Sequence, residues 1–353
     1  MNSLAPSAAS QNHESFRALR AELFSHLRDA QNSEGGWPFH ASGESRVEPT
    51  CWALLALANT SESSQASIAR GFEFLRAQQL SDGSWPAAGG MSSGGWVTSL
   101  AALAHAQFLA SEMLGAPGSL TEPGSSLSAG PVRNTIVAAL QWLCDDYPRD
   151  SSRWQKFLKN FSSAKHESHN NEFRGWGWTP RTSSWVEPTS FALLAFASAT
   201  AGAPGSRSEP GSFDLSPQLA KQVSERRELA VGLLYDRMCA GGGWNCGNPR
   251  VYGVDGESLI LPTCWALLAL RDAPDHPNRG LSLEWLQKSF AAISSPGSLA
   301  VAQITLQHYG IAVRESSRRL CQWSAADLAG QGTHVAAWSL LALNPSRHWP
   351  VPS

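Results

Sequence analysis

The sequence is built on one recurring arrangement: a Gly-rich turn ending in Trp, then a Thr, then an apolar run. Gln31-Asn-Ser-Glu-Gly-Gly-Trp37 leads to Val47-Glu-Pro-Thr50 and to Cys51-Trp-Ala-Leu-Leu-Ala-Leu57. Gln79-Leu-Ser-Asp-Gly-Ser-Trp85 leads to Gly95-Trp-Val-Thr98 and Ser99-Leu-Ala-Ala-Leu103, and in both copies Trp and Thr stand 13 residues apart. A third copy runs Gly175-Trp-Gly-Trp178, Val186-Glu-Pro-Thr189 and Ser190-Phe-Ala-Leu-Leu-Ala-Phe196; a fourth runs Gly241-Gly-Gly-Trp244, Ile260-Leu-Pro-Thr263 and Cys264-Trp-Ala-Leu-Leu-Ala-Leu270. Weaker copies begin near Ser298 and at Thr333, which makes six. A chain of six like units folds by stacking each on its neighbours.

The segment after each Thr is apolar on nearly all sides and rich in Ala and Leu, so it reads as a helix with little exposed surface. Thr at its start is expected to cap the free amides, and Pro49, Pro188 and Pro262 occupy the first turn, where a missing N–H costs nothing. The segment before each turn is amphipathic: Ile68, Phe72, Leu75 and Gln79 share one face, as do Leu229, Leu233 and Leu234. Buried helices alternating with amphipathic ones predict an all-α fold, an α/α toroid with six inner and six outer helices. Inner helices are expected to begin near residues 49, 97, 188, 262, 297 and 332. The toroid is assigned to 14–345, between a disordered N-terminus at 1–13 and a tail at 346–353. Segments 115–131 and 201–217, dense in Gly, Pro and Ser, and the charged segment 146–173 interrupt the repeats as insertions.

Composition narrows the function. With 27 basic and 29 acidic residues the net charge is −2, which excludes a global basic field for nucleic acid. The longest apolar run, Cys51 to Ala58, is far short of the ~20 residues that span a bilayer. Six scattered cysteines without CxxC spacing fit a reducing, cytoplasmic setting. Against 4 Tyr and 4 Met the chain carries 15 Trp, so the fold uses indole repeatedly.

The second repeat reads Arg70-Gly71-x-x-Phe74-x-x-x-Gln78-x-x-x-x-Gly83-x-Trp85, which resembles the QW motif of the squalene and oxidosqualene cyclases. The first keeps Leu27, Gln31, Gly35 and Trp37, and the third and fourth keep the Gly-Trp end. The chain is thus similar to the terpenoid cyclase and protein prenyltransferase superfamily from about residue 15 to about residue 343. The resemblance implies a single toroid domain and an isoprenoid substrate. Class II cyclases protonate an alkene with the middle carboxyl of a DxDDT motif. At the offset two residues before Thr, this chain carries Glu48, Trp96, Glu187, Leu261 and Gln331, with Pro49 and Pro188 where supporting carboxylates would stand.

Glu48 and Glu187 are therefore the candidate acids. Trp52, Trp96, Phe191, Trp265 and Trp338 are expected to line a cavity whose π faces suit a cation, with His334 beside them. Arg46, Arg174, Arg181 and Arg250 are placed to receive an anionic headgroup, and Trp185 and Tyr252 join Arg46, Trp85, Trp96 and Arg181 on the rim. The prenyltransferase template implies zinc on Asp, Cys and His; only Cys264 and His334 match, so no metal and no cofactor is expected. Asp145-Asp146 reads as a solvated loop, His166-x-x-His169 with Glu172 as part of an insertion. The expected function is acid-initiated carbocation chemistry on an apolar polyene or prenyl diphosphate. The alternatives are a non-catalytic ring that binds lipid or protein, and a prenyltransferase-like subunit that needs a partner. Expected partners are the apolar isoprenoid, a second helical subunit and a peripheral membrane surface, but not nucleic acid.

Overall fold

The computed structural model describes residues 8–60, 64–113, 128–148, 170, 172–200, 215–312 and 316–344. Most of the three insertions, including His166, His169 and the segment from Trp154 to Phe161, and the tail at 346–353 lie outside the described residues. The helices are α1 (Ala8–Asp29), α2 (Val47–Ala58), α3 (Gln65–Gln78), α4 (Val97–Met113), α5 (Ala129–Asp145), α6 (Val186–Thr200), α7 (Pro217–Asp236), α8 (Ile260–Leu270), α9 (Pro277–Phe290), α10 (Pro296–His308), α11 (Ser316–Leu320), α12 (Ala325–Gly330) and α13 (Thr333–Ala342). Helix α1 starts at Ala8, ahead of the boundary expected at residue 14.

Six helices, α2, α4, α6, α8, α10 and α13, form the inner ring. Each packs on the next and α13 packs on α2, so the ring closes. Outside them lie α1, α3, α5, α7, α9 and the short pair α11 and α12, each against its inner partner. The composition dictates this sorting. In α2, α6 and α8 nearly every side chain is buried, so these helices need neighbours on every side. In α3 and α7 only one stripe is buried.

What joins the layers is the Trp and Thr of each repeat. The turn Trp donates its backbone N–H to the Thr Oγ1 at 2.9 Å for Trp37 and Thr50, 3.0 Å for Trp85 and Thr98, 3.0 Å for Trp176 and Thr189, and 2.9 Å for Trp244 and Thr263. The same indole then donates Nε1–H to a carbonyl near the end of an outer helix: Leu27 at 2.6 Å, Leu75 at 2.7 Å, Leu143 at 3.0 Å and Leu234 at 2.5 Å. These carbonyls belong to the last turn, where intrahelical partners run out. The Thr is thus no helix cap, as the sequence had led us to expect; its hydroxyl reaches back to the turn. Trp85, expected on the rim, is for the same reason fully buried.

Secondary ties differ between repeats. Gln31 donates to the Gly35 and Ser67 carbonyls at 2.7 and 2.8 Å, and Gln79, not the Gln78 of the motif reading, donates to Gly83 at 3.0 Å. Gly35 and Gly83 have positive φ and sit so close to the Arg70 and Ala138 backbones that a Cβ would lie 2.5 and 2.6 Å from their carbonyl oxygens. In the third repeat the buried Arg226 takes over: Nη2 donates to the Asp146 and Gly175 carbonyls at 3.0 and 3.2 Å, and the guanidinium lies 4.2 Å from the Trp176 ring. Asp146 is consequently buried and accepts the Arg181 N–H at 3.0 Å, which corrects its reading as a solvated loop residue. The fourth repeat separates Trp244 and Thr263 by 19 residues, and the added chain forms a two-stranded hairpin, β1 (Arg250–Val251) with β2 (Val254–Asp255).

Replacing one Thr by its isostere tests this tie. Thr189→Val keeps the volume but leaves the buried Trp176 N–H without an acceptor, so urea unfolding should report a loss of about 1–3 kcal/mol. Thr179→Val, in an exposed turn, should stay within about 0.5 kcal/mol.

Candidate active site

Four inner helices, α2, α4, α6 and α8, each follow their own Trp turn, and Thr333 at the start of α13 bonds to Pro38 beside the first of those turns. The second residue of five inner helices is Glu48, Glu187, Leu261, Gly297 and His334, and Trp96 stands just before α4. Four positions on, one turn deeper on the same face, come Trp52, Phe191, Trp265, Val301 and Trp338, with Leu100 on α4. The ring therefore presents two layers, a mixed polar layer at its mouth and an aromatic layer beneath.

The aromatic layer is closed. Trp52 stacks on Trp265 at 5.4 Å between centroids and 28° between planes, although α2 and α8 lie on opposite sides of the ring. Trp338 meets Trp52 at 5.4 Å and Trp265 at 5.7 Å, and Phe191 meets Trp265 at 5.1 Å and Trp52 at 5.9 Å. Indoles facing one another across a six-helix ring reach its axis. Instead of lining an open cavity, as expected from the sequence, these residues form a floor. Trp96 rises beside it, 5.4 Å from Phe191 and 5.1 Å from Trp178.

Above the floor stand the two carboxyls. Burial pushes Glu48 up from 4.5 to about 7, a hydrogen bond from the Trp52 side chain pulls it down, and the Glu187 charge raises it again. Burial also raises Glu187. A helix N-terminus favours the carboxylate by about 0.3–1 kcal/mol, so desolvation outweighs the dipole at Glu48. His334, its ring 4.9 Å from that of Trp338 and 6.3 Å from that of Phe39, is pushed down by burial and by His40.

Other sequence candidates lie elsewhere. Tyr252, at the hairpin tip, is 84% exposed and Trp185 is 37% exposed, both outside the buried cluster. The arginines expected to hold an anion together have separate partners: Arg46 pairs with Glu44 at 2.9 Å, Arg250 with Asp255 at 3.6 Å, and Arg174 lies 6.0 Å from the Tyr147 ring. Arg181 is exposed and gives its backbone N–H to Asp146. Cys264 is fully buried and hydrogen-bonded to Thr305. Among the described residues no three His, Cys, Asp or Glu side chains form a metal cluster, and no helix is long and apolar enough to cross a membrane.

Three mouth residues were not singled out as site candidates in the sequence: Phe39, Trp178 and Cys246, whose thiol is raised by burial and then by the Glu187 charge. Each stands two residues after its turn Trp, at Trp37, Trp176 and Trp244. That offset was the available signal.

The raised Glu48 makes stability depend on pH. Folded Glu48 holds its proton up to about 7 while the unfolded carboxyl releases it near 4.5, so the stabilisation is present below 4.5 and is lost as pH rises through 7. Thermal midpoints should fall between pH 5 and 7.5, and the slope should flatten in Glu48→Gln.

Comparison with known proteins places the fold. A family model of the squalene-hopene cyclase C-terminal domain matches residues 7–98. No curated protein matches the sequence. Among solved structures, a substituted form of the type II terpene cyclase MstE from Scytonema, in complex with its substrate geranylgeranyl dihydroxybenzoate, superposes with a TM-score of 0.56 and 12% identity, covering 95% of this chain and 98% of that one. An alpha-amylase from Clostridium perfringens gives 0.55 and 11%, covering 93% of this chain and 98% of its own. A glycosidase variant gives 0.56 and 11%, covering 99% and 100%. The same ring thus carries unlike chemistries. This chain is an α/α toroid that shares its fold with a type II terpene cyclase, and residues 7–98, from the first outer helix to Thr98, match the squalene-hopene cyclase C-terminal domain.

Proposed function

We propose that this protein is an isoprenoid cyclase-like enzyme in which Glu48 starts carbocation chemistry by protonating an alkene. One observation carries the reading: a carboxyl held neutral to about pH 7 stands directly over a floor of stacked aromatic rings. An acid must be neutral to give up a proton, and the cation it creates needs π faces rather than water. Glu48 supplies the proton to one alkene carbon. The cation on the other faces Trp52, Trp96 and Phe191 as the next double bond attacks it. Burial keeps the proton on Glu48, and the Glu187 charge adds to that by repulsion. The match of residues 7–98 to the cyclase family supports this reading, since that segment contains Glu48, Trp52 and Trp96.

The closed floor confines the reacting part of a substrate to the mouth. A non-catalytic binding ring would have the same floor but no need of a carboxyl that holds its proton. A second reading, glycoside hydrolysis, is favoured by the pairing of Glu48 with Glu187, since glycosidases flank the scissile bond with two carboxyls.

The purified protein is expected to convert at least one of squalene, farnesyl diphosphate and geranylgeranyl diphosphate to a cyclic product seen by mass spectrometry. Glu48→Gln should lower the rate by about 10²-fold or more. Wild-type rate should fall as pH rises through 7. Glu187→Gln removes the charge that adds to burial in raising Glu48 and should move that fall slightly to lower pH. No product from any of the three, or full turnover by Glu48→Gln, overturns the proposal; release of nitrophenol from nitrophenyl glycosides would establish the second reading.

A further inference from the structure

The rim of the mouth is uneven. Residues 38–46, 86–96, 177–185 and 245–259 stand between a turn Trp and the start of α2, α4, α6 and α8, whereas only 291–295 and 331–332 precede α10 and α13. A Cβ on Gly297, second in α10, would lie 3.3 Å from Cγ2 of Val335, third in α13, so these two helices start level with one another. The wall of the mouth is therefore low over α10 and α13. At the inner edge of that low side stands His334.

His334 faces the mouth. It precedes Trp338 by one turn on the same face of α13, and the two rings meet edge to face at 4.9 Å and 74°. Trp338 in turn reaches Trp52 and Trp265 at the ring axis, so the imidazole lies on the upper side of the floor. Unlike the floor residues, His334 is only half-buried. Its two nitrogens differ. Nδ1 is buried without a partner and lies with Cε1 against Gly332, where a Cβ would come within 2.9 and 2.7 Å of them. Nε2 is exposed, and no hydrogen bond to it forms among the described residues. A buried N–H without a partner is rarer than an unused lone pair, which puts the lone pair on Nδ1 and the proton on Nε2. Burial, and His40 on the neighbouring loop, also steer the ring away from its charged form. His334 thus offers the mouth one N–H.

What that N–H can hold is limited by its company. Glu48 and Glu187 share the mouth, and a carboxylate there repels a second anion. Arginines of the rim are engaged elsewhere, Arg46 with Glu44 and Arg250 with Asp255. We infer that His334 seats the polar end of the substrate on the low side of the mouth, and that this end is an uncharged oxygen rather than a diphosphate. The inference rests on reading the mouth as the substrate site. The oxygen accepts the Nε2–H of His334, and the apolar chain runs inward from it, past the aromatic rings toward Glu48. Protonating an alkene leaves the polar end intact, so the reaction asks for no diphosphate to depart. A site that bonds an oxygen discriminates against the analogue that lacks it.

Farnesyl methyl ether, farnesene and farnesyl diphosphate share one chain and differ at its end. The ether accepts a hydrogen bond but cannot donate one to Glu48 or Glu187, so its affinity reads the donor. Isothermal titration calorimetry on the intact protein should show the ether binding about tenfold tighter than the hydrocarbon, and tighter than the diphosphate. His334→Gln, which keeps an N–H, should retain the preference for ether over hydrocarbon, and His334→Phe should abolish it. Equal binding of ether and hydrocarbon, tightest binding of the diphosphate, binding of none of the three, or a preference that survives in His334→Phe would overturn the proposal. The two readings fail separately: a preference without turnover removes only the acid role of Glu48, and turnover without a preference removes only the role of His334.

Discussion

Everything in this ring depends on a backbone amide with nowhere else to go. The N–H of each turn Trp is buried and finds the hydroxyl of a Thr on the inner helix, while the indole of the same residue completes the end of an outer helix. A single hydrogen bond contributes about 1 kcal/mol, but an unmade one at such a site costs up to about three times that. One Trp therefore fixes three things together: the turn, the start of the inner helix and the end of an outer one. Because the geometry repeats four times, α2, α4, α6 and α8 begin at one level. Without that common level the residues four positions apart would not sort into layers.

The layers in turn set the chemistry. Glu48 and Glu187 occupy the second position of their helices, where the first turn exposes amides and carboxylates are normally welcome. Here the aromatic floor removes water from one side of Glu48, and desolvation decides its state. The Glu187 charge adds a smaller push in the same direction. The floor that raises Glu48 leaves little depth below it, and it is the mouth that can bind.

Much of this was legible in the sequence, because the repeat carries its own alignment. The inner helices start close to where the apolar runs and their Pro residues put them, at Val47, Val97, Val186, Ile260, Pro296 and Thr333. The partner of each Thr was not legible, since a Thr ahead of an apolar run looks like a cap. Nor was the register of the sixth repeat. Aligned on its Thr, Gln331 falls where Glu48 does; in the structure His334 takes that position, because no Gly-Trp turn precedes α13 and Thr333 bonds to the first repeat instead. The meeting of Trp52 with Trp265 depends on the diameter of the ring, which no local pattern encodes. The pairing of Arg46 and Arg250 with nearby carboxylates was equally hidden, because a charged residue in a loop shows nothing of its neighbours.

The way the ring shuts has a consequence for how the chain reaches it. Thr333 gives its hydroxyl to the Pro38 carbonyl at 2.6 Å and its amide to Phe39 at 2.8 Å, and Asn344 reaches the Asn59 carbonyl. The first of these contacts spans 295 residues. Most other ties link adjacent repeats and can form as the chain is made, but this seam waits for the last helix. Until α13 arrives, α2 and α10 each hold an apolar flank open to water, and the nascent molecule is an arc with two adhesive ends. An arc can close on itself or on the arc of another chain. The seam is therefore where a domain-swapped dimer would arise, and where moving the termini by circular permutation would change the order of assembly while leaving the finished ring intact.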